Sequence, residues 1–345
     1  MTLGDPRQLT GGYLFHRRLA ELAPAHAARL EFVSFAERAF PLALAEARRV
    51  IDEIQRRAPD VVVVDSIMAW CLAFDAPNLP MVGMLHQPPG GIDFGPPRST
   101  LQAWLDRLAY RHLRRLLLAS ESLADDLRRQ GLAPERLSVV PPGRDVAMEP
   151  GPPPGDLRRG HRASFLCVGN WVERKGILSL LEAFAALEAQ AGTLHLVGRT
   201  AVEPAYARRV WARLGQPDLF TRVVVHGPVS VGEVAALYTA ADVFVLPSLK
   251  EPYGTVYGEA MACGLPVVGW RAGNLPYLAD HEREGLLIQP GDSSGLTAAL
   301  RRLADDADLR ARLGAAARRR AMQRPTWEQV AEMFFGQLRA AAESG

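Results

Sequence analysis

The stretch EPYGTVYGEAMACGLPVV, residues 251–268, decides how the rest of the chain is read. It follows an apolar run at 243–246 with strand character and passes through Pro252 and Gly254 into small and apolar residues. A helix beginning near Gly254, Thr255 and Val256 turns unpaired backbone N–H groups and its positive dipole end toward an anion such as a diphosphate. Glu259 falls about one turn into that helix among Gly258, Ala260, Met261 and Ala262, with little polar company in the local sequence. Ribose hydroxyls would satisfy its carboxylate; the plainer alternative is an acidic group favoured by the helix dipole. Glu251, in the preceding loop, can accept hydrogen bonds from the hydroxyls of a sugar.

Outward from this stretch, short β-branched runs alternate with longer amphipathic ones, the pattern of strand-helix-strand units in parallel sheets. The first series has expected strands at 30–35, 61–64, 81–85, 116–119 and 137–140, with helical segments such as 42–57 between them. A stretch rich in Pro and Gly at 148–160 suits a hinge. Beyond it, strands are expected at 164–168, 193–197, 222–226, 243–246, 266–268 and 286–288, and 326–342 reads as one amphipathic helix. The expectation is an α/β protein of two Rossmann-like, doubly wound parallel-sheet domains facing a cleft. Domain one spans 1–150, domain two 151–325, and a helix in 326–345 crosses back to the first. Residues 1–3 are short for the strand that should precede Gly11 and Gly12.

Composition removes several classes of function. Among 345 residues, 40 basic side chains against 38 acidic ones leave a net charge of +2, far from the excess of a nucleic-acid binder. Cys71, Cys167 and Cys263 form no pair spaced for zinc and fit a reducing compartment. No apolar run approaches the roughly 18 residues of a membrane span, and the first residues lack a secretory pattern, so a cytoplasmic protein is expected. The segment 107–115 interleaves basic and apolar residues, which leaves open a weak peripheral membrane contact beside an ordinary packed helix. Only Lys175 and Lys250 are lysine, so a lysine kept in this arginine background can mark a need for a compact ammonium.

Lys175 lies in CVGNWVERKG, residues 167–176, between an expected strand and a helix. Together with 251–268, this loop resembles the retaining glycosyltransferases of family 4, also called group 1, which have the GT-B fold. Glu251 and Glu259 match the family's E-x7-E pair, and the following residues resemble its E-A-x-A-x-G-x-P-V-V. Residues 139–145 are similar to its interdomain strand and turn, and GLLIQPGD at 285–292 to its G-x-L-x-x-P-x-D segment. Lys175 matches the lysine of the family's diphosphate loop; Asn170 stands where that loop has arginine, and Arg174 is a neighbouring cation that could replace it.

The resemblance implies a role near the donor sugar for His86, which follows the strand at 81–85; capping of the strand end is the alternative. It gives Gly11 and Gly12 a glycine-loop role at the distal phosphate, against an ordinary turn. It places the donor base against His226, Gly227 and Val229. Ser230, where a guanine site would want a carboxylate, tilts the reading from GDP toward UDP and otherwise reads as a helix cap. Asp65 and Ser66 are candidates for an acceptor site or a turn.

The only D-x-D string, Asp306 to Asp308, reads as a helix junction, so no metal or other cofactor is expected. The implied reaction is retaining transfer of a hexosyl group from a nucleoside diphosphate sugar to a hydroxyl acceptor: a saccharide, a lipid-linked molecule or a small molecule. The catalytic candidates are Glu251, Lys175, His86 and Arg174. Alternative readings are a nucleotide-sugar epimerase of the same fold and a non-catalytic nucleotide-sugar binder.

Overall fold

A computed structural model of the protein describes residues 1–3, 11–35, 40, 47–144, 151, 152 and 154–343. The chain divides into two compact units, Met1–Gly143 with Pro325–Gly345, and Arg144–Arg324. Residues 145–150 and 153, within or beside the proposed hinge, and 42–46 of the expected helix at 42–57 lie outside the described residues.

In the first unit, β1 (Thr2–Leu3) precedes α1 (Gly11–Leu22), β2 (Ser34–Phe35), α2 (Ala47–Arg57), β3 (Val62–Asp65), β4 (Met81–Leu85), α3 (Arg98–Ala109), β5 (Arg115–Leu118), α4 (Glu121–Arg129) and β6 (Leu137–Val139). β3, β4, β5 and β6 form a parallel sheet in that order, and β1 pairs in parallel with β2. Of the strand expected at 30–35, only Ser34 and Phe35 are strand, paired with Thr2 and Leu3. Alternation along β4 and β5 explains helices on both faces. Met81, Leu85, Leu116 and Leu118 face one core with Ile51 and Leu127. Val82, Met84 and Leu117 face another with Phe15, Leu19, Val330 and Phe334. The last three of these strand residues thus bury the carboxy-terminal helix, Trp327–Glu343, in the first unit. The segment 107–115 is not one amphipathic helix: α3 ends at Ala109, a 3-10 turn covers Tyr110–His112, and β5 begins at Arg115.

The second unit holds β7 (Ala163–Val168), α5 (Ile177–Ala185), β8 (Gly192–Val197), α6 (Pro204–Leu214), β9 (Val223–Gly227), α7 (Val231–Ala240), β10 (Val243–Val245), α8 (Thr255–Ala262), β11 (Val267–Trp270), α9 (Leu275–Leu278), β12 (Gly285–Ile288), α10 (Ser293–Asp305) and α11 (Ala307–Met322). Its six parallel strands run β12-β11-β10-β7-β8-β9. The order reverses between β7 and β10, the point in an open α/β sheet where ligands bind beyond the strand carboxyl ends. Asp306 caps α11 by accepting from the Leu309 amide at 2.8 Å, as the helix-junction reading requires. On α11, rich in Ala and Arg, Leu309, Leu313, Ala317 and Ala321 form a buried face. A Cβ on Gly314 would come within 2.1 Å of the Gly264 carbonyl, so the bare glycine lets α11 press on the end of α8. No helix among the described residues is long and apolar enough to cross a membrane.

Candidate functional site

The two loops that carry the glutamates and the lysine leave the strands on either side of the reversal. β7 leads through Gly169 into the 3-10 turn Glu173–Lys175, and β10 leads into the loop holding Glu251. Gly176 has φ +70°, and a Cβ there would sit 2.2 Å from the Pro247 carbonyl. Glycine at this position therefore lets one loop lie against the other. The Leu249 amide donates to the Arg174 carbonyl at 2.8 Å, and Arg174 Nη1 donates to the Lys250 carbonyl at 2.9 Å.

This seam brings Lys175 Nζ into a direct ion pair with Glu251 Oε2, with Arg174 Nη1 4.0 Å from the same oxygen. Lys175 and Glu251 are both largely buried, at 11% and 13% side-chain exposure. The predicted phosphate cation and sugar acceptor are thus each other's partner in this state.

α8 starts on Gly254, whose φ of +81° is the left-handed conformation open to glycine. The amides of Tyr257 and Gly258 turn back to the Gly254 carbonyl at 3.0 and 3.3 Å. Those of Thr255 and Val256, at the start of the helix, have no carbonyl of their own helix to bind. The Tyr257 hydroxyl donates to the Leu246 carbonyl at the end of β10 and pins the helix start to the strand. From the turn after β11, Asn274 donates its backbone N–H to the Glu251 carbonyl at 2.9 Å and Nδ2 to the Tyr253 carbonyl at 2.7 Å. Glu259 is better provided for than its neighbours in sequence suggest, because the Tyr238 hydroxyl donates to Oε2 at 3.0 Å from α7. Burial and that carboxylate push the Tyr238 phenol well above its ordinary value, so it stays a donor.

Asn170 is committed elsewhere: its Oδ1 accepts from the Arg199 amide at 3.0 Å and ties the end of β7 to that of β8. His226 and Gly227 close β9, and Val229 follows half-buried. His226 Nε2 lies 3.0 Å from His195 Nδ1, and His195 Nε2 lies 2.9 Å from the Leu157 carbonyl. The carbonyl can only accept, so His195 donates through Nε2 and accepts at Nδ1, and His226 donates through Nε2. Burial lowers both histidines, His195 to about 4, and keeps them neutral near pH 7. Ser230 and Glu233 form a reciprocal capping box on α7.

In the first unit, Gly11 and Gly12 open α1 instead of forming a loop before it; residues 4–10 lie outside the described residues. A Cβ on Gly12 would lie 3.3 Å from His86 Cδ2. His86 follows β4, its backbone N–H donating to Ser66 Oγ at 3.2 Å. Its Nε2 is 3.3 Å from His16 Nε2, which is 2.9 Å from Asp65 Oδ2. Burial lowers His86 to about 4 against the pull of Asp65. Asp65 is buried too, which raises it, yet the hydrogen bond and charge of His16 lead the effects that outweigh burial and hold it down at about 2. Asp65 and Ser66 are therefore packed into the ends of β3 and β4, at 3% exposure each.

Four residues of these networks, Tyr238, Asn274, His195 and His16, were not picked out from sequence. The one signal available was for His16, a polar ring between Phe15 and Leu19 on the apolar face of α1.

Residues 162–306 match the family model described as Glycosyl transferases group 1, and residues 13–148 match Glycosyltransferase Family 4. The chain is 36% identical over 219 residues to an MMP alpha-(1->4)-mannosyltransferase of Mycolicibacterium hassiacum, covering 63% of this chain and 51% of the relative. It is 31% identical over 234 residues to a D-inositol 3-phosphate glycosyltransferase of Pseudarthrobacter chlorophenolicus, covering 65% and 55%. The chain thus spans about half the length of the curated relatives it matches. Among solved structures, a sucrose-phosphate synthase from Thermosynechococcus elongatus superposes with a TM-score of 0.81 at 22% identity, covering 100% of this chain and 99% of that one. Anabaena HepE, solved with UDP and glucose, gives 0.79 at 21% identity, covering 98% of each chain. The chain belongs to the group 1, family 4 glycosyltransferases and has their GT-B fold.

Proposed function

We infer that the protein transfers a hexosyl group from a nucleoside diphosphate sugar, UDP in preference to GDP, to a hydroxyl acceptor with retention at the anomeric carbon. The observation that carries this reading is the meeting of Lys175, Arg174 and Glu251 at the strand-order reversal, beside the open amides of α8. As the anomeric C–O bond breaks, negative charge grows on the leaving diphosphate, and fixed donors aimed at it lower the barrier. Lys175 and Arg174 are suited to that charge, so the transfer is read as needing no metal. An arriving phosphate would draw Lys175 from Glu251 and release the carboxylate to accept hydrogen bonds from the sugar.

The acceptor oxygen then bonds to the anomeric carbon on the face the diphosphate leaves, and its proton passes to a leaving phosphate oxygen. No protein nucleophile is required. Glu259, oriented by Tyr238, is read as the partner of the ribose hydroxyls, and His226, Gly227 and Val229 as the surroundings of the base. HepE has been solved with UDP and with UDP-glucose, which supports a uridine donor. A saccharide acceptor is the class we favour.

A thermal-shift screen across UDP, GDP, ADP and their sugars tests the donor, because a ligand that binds only the folded state raises its stability. Stabilisation by UDP compounds above the others is the expected result. Transfer products formed in EDTA with the donor's anomeric configuration, read by NMR, test the rest. Donor isomerisation without an acceptor would favour the epimerase, and binding with neither hydrolysis nor transfer would favour a non-catalytic protein.

A further inference from the structure

Three donor atoms from three different elements of the first unit converge on one point. They are His16 Nε2 from α1, Asp65 Oδ2 from the end of β3 and His86 Nε2 from the residue after β4, all within 4.8 Å of one another. The His16 nitrogen is 2.9 Å from the carboxylate oxygen and 3.3 Å from the His86 nitrogen. Ligands about 2.0–2.2 Å from a tetrahedral zinc ion lie about 3.3–3.6 Å from each other, so the His16–His86 edge already fits a shared cation and the His16–Asp65 edge would lengthen by about half an ångström on binding.

Proton counting points the same way. A neutral imidazole nitrogen either donates or accepts, yet His16 Nε2 faces an acceptor-only carboxylate and a second ring nitrogen at once. One hydrogen on His16 serves the carboxylate well and the 3.3 Å contact poorly. A cation accepts all three lone pairs together.

The cluster is also braced as a ligand set is. The other oxygen of Asp65 accepts from the Ile67 amide at 3.1 Å and from Ser66 Oγ at 3.3 Å. Outer hydrogen bonds of this kind orient ligands toward a metal. The rings of His16 and His86 stand at 85° to each other, and the Phe15 ring holds His86 edge-on at 72°. Gly12, with no Cβ, leaves the His86 ring its place.

We propose that His16, Asp65 and His86 form a binding site for one borderline divalent transition-metal cation of the zinc type. Two imidazoles and one carboxylate are the ligand mixture such ions accept, and three protein ligands leave a position open. All three residues belong to the first unit, and no step of sugar transfer runs through the ion. Its occupancy would claim the Nε2 of His86, so zinc would act as a regulator of this group.

The test is titration of the metal-stripped full-length chain with Co²⁺, read by visible absorption, and with Zn²⁺, read calorimetrically. One saturable equivalent is expected. D65N and H16Q should each weaken it at least about 10-fold, with far-UV circular dichroism confirming that the variants fold. X-ray absorption on the zinc-loaded wild type needs no variant and should show two imidazole nitrogens and a carboxylate oxygen at about 2.0–2.2 Å. Absence of a saturable equivalent, a different ligand set, or binding untouched by both substitutions would overturn the proposal. No donor or acceptor enters the experiment, so its failure is separate from any failure of the transferase reading.

Discussion

The ion pair between Lys175 and Glu251 has to do two separable things, and a double-mutant cycle separates them. Removing one partner of a buried pair costs about 3–5 kcal/mol, because the other charge is left uncompensated. In K175M the stranded carboxylate keeps Arg174 Nη1 at 4.0 Å. Its cost should therefore fall below that range, at about 2–3 kcal/mol. In E251Q the cations Lys175 and Arg174 lose the carboxylate they share, which points to the upper part of the range. K175M/E251Q removes both charges of the direct pair and leaves Arg174 its bond to the Lys250 carbonyl, so the two effects should fall short of adding by at least about 2 kcal/mol.

Equilibrium urea unfolding of the four proteins measures that coupling. Turnover should not recover with stability. Loss of a fixed cation at the leaving phosphate lowers rate by about 100- to 1,000-fold, and the double variant still lacks it. Additive destabilisation would refute the ion pair, and a double variant with near wild-type transfer would refute the catalytic assignment of both residues.

G176A places a Cβ against the Pro247 carbonyl at a left-handed φ and should cost at least about 2 kcal/mol in urea unfolding, with transfer falling as the Lys175 turn shifts. Y238F removes the donor to Glu259; it should cost about 1 kcal/mol and weaken donor binding by calorimetry while leaving the rate at saturating donor little changed. Asp106 accepts from the Gly90 amide at 2.8 Å, and burial pushes it up to about 7, above its unfolded value near 3.8. The folded state then holds a proton that the unfolded chain has lost, so stability should fall as pH rises from about 4 to about 7, by up to roughly 4 kcal/mol; urea midpoints at pH 5 and 8 should differ less in D106N than in wild type.

How far the sequence carried this reading depended on the range of each interaction. The continuous apolar runs of β4 and β7, and the glycine at the start of α8, are local patterns, and the expected positions of β4, β7 and α8 agree with the structure to within a residue or two. The strand expected at 30–35 is seen only at Ser34 and Phe35, whose pairing partner β1 lies outside their own sequence window. The helix read across 107–115 failed for a related reason. Interleaved basic and apolar residues fit a helix face, but Arg115 onward is held by parallel pairing to β4.

Residues at the candidate site were found where chemistry and spacing coincide, as for Glu251 and Glu259. What those residues bind in the resting protein was hidden. Tyr238 reaches Glu259 across 21 positions and Lys175 reaches Glu251 across 76, and neither separation leaves a trace in local spacing. The difference matters for mechanism. A carboxylate read as alone needs a ligand to satisfy it, whereas a carboxylate already paired must be released by one. On the proposed reading, donor binding at Glu251 would be an exchange of partners, and its affinity would report the phosphate's hold on Lys175 less the ion pair it replaces.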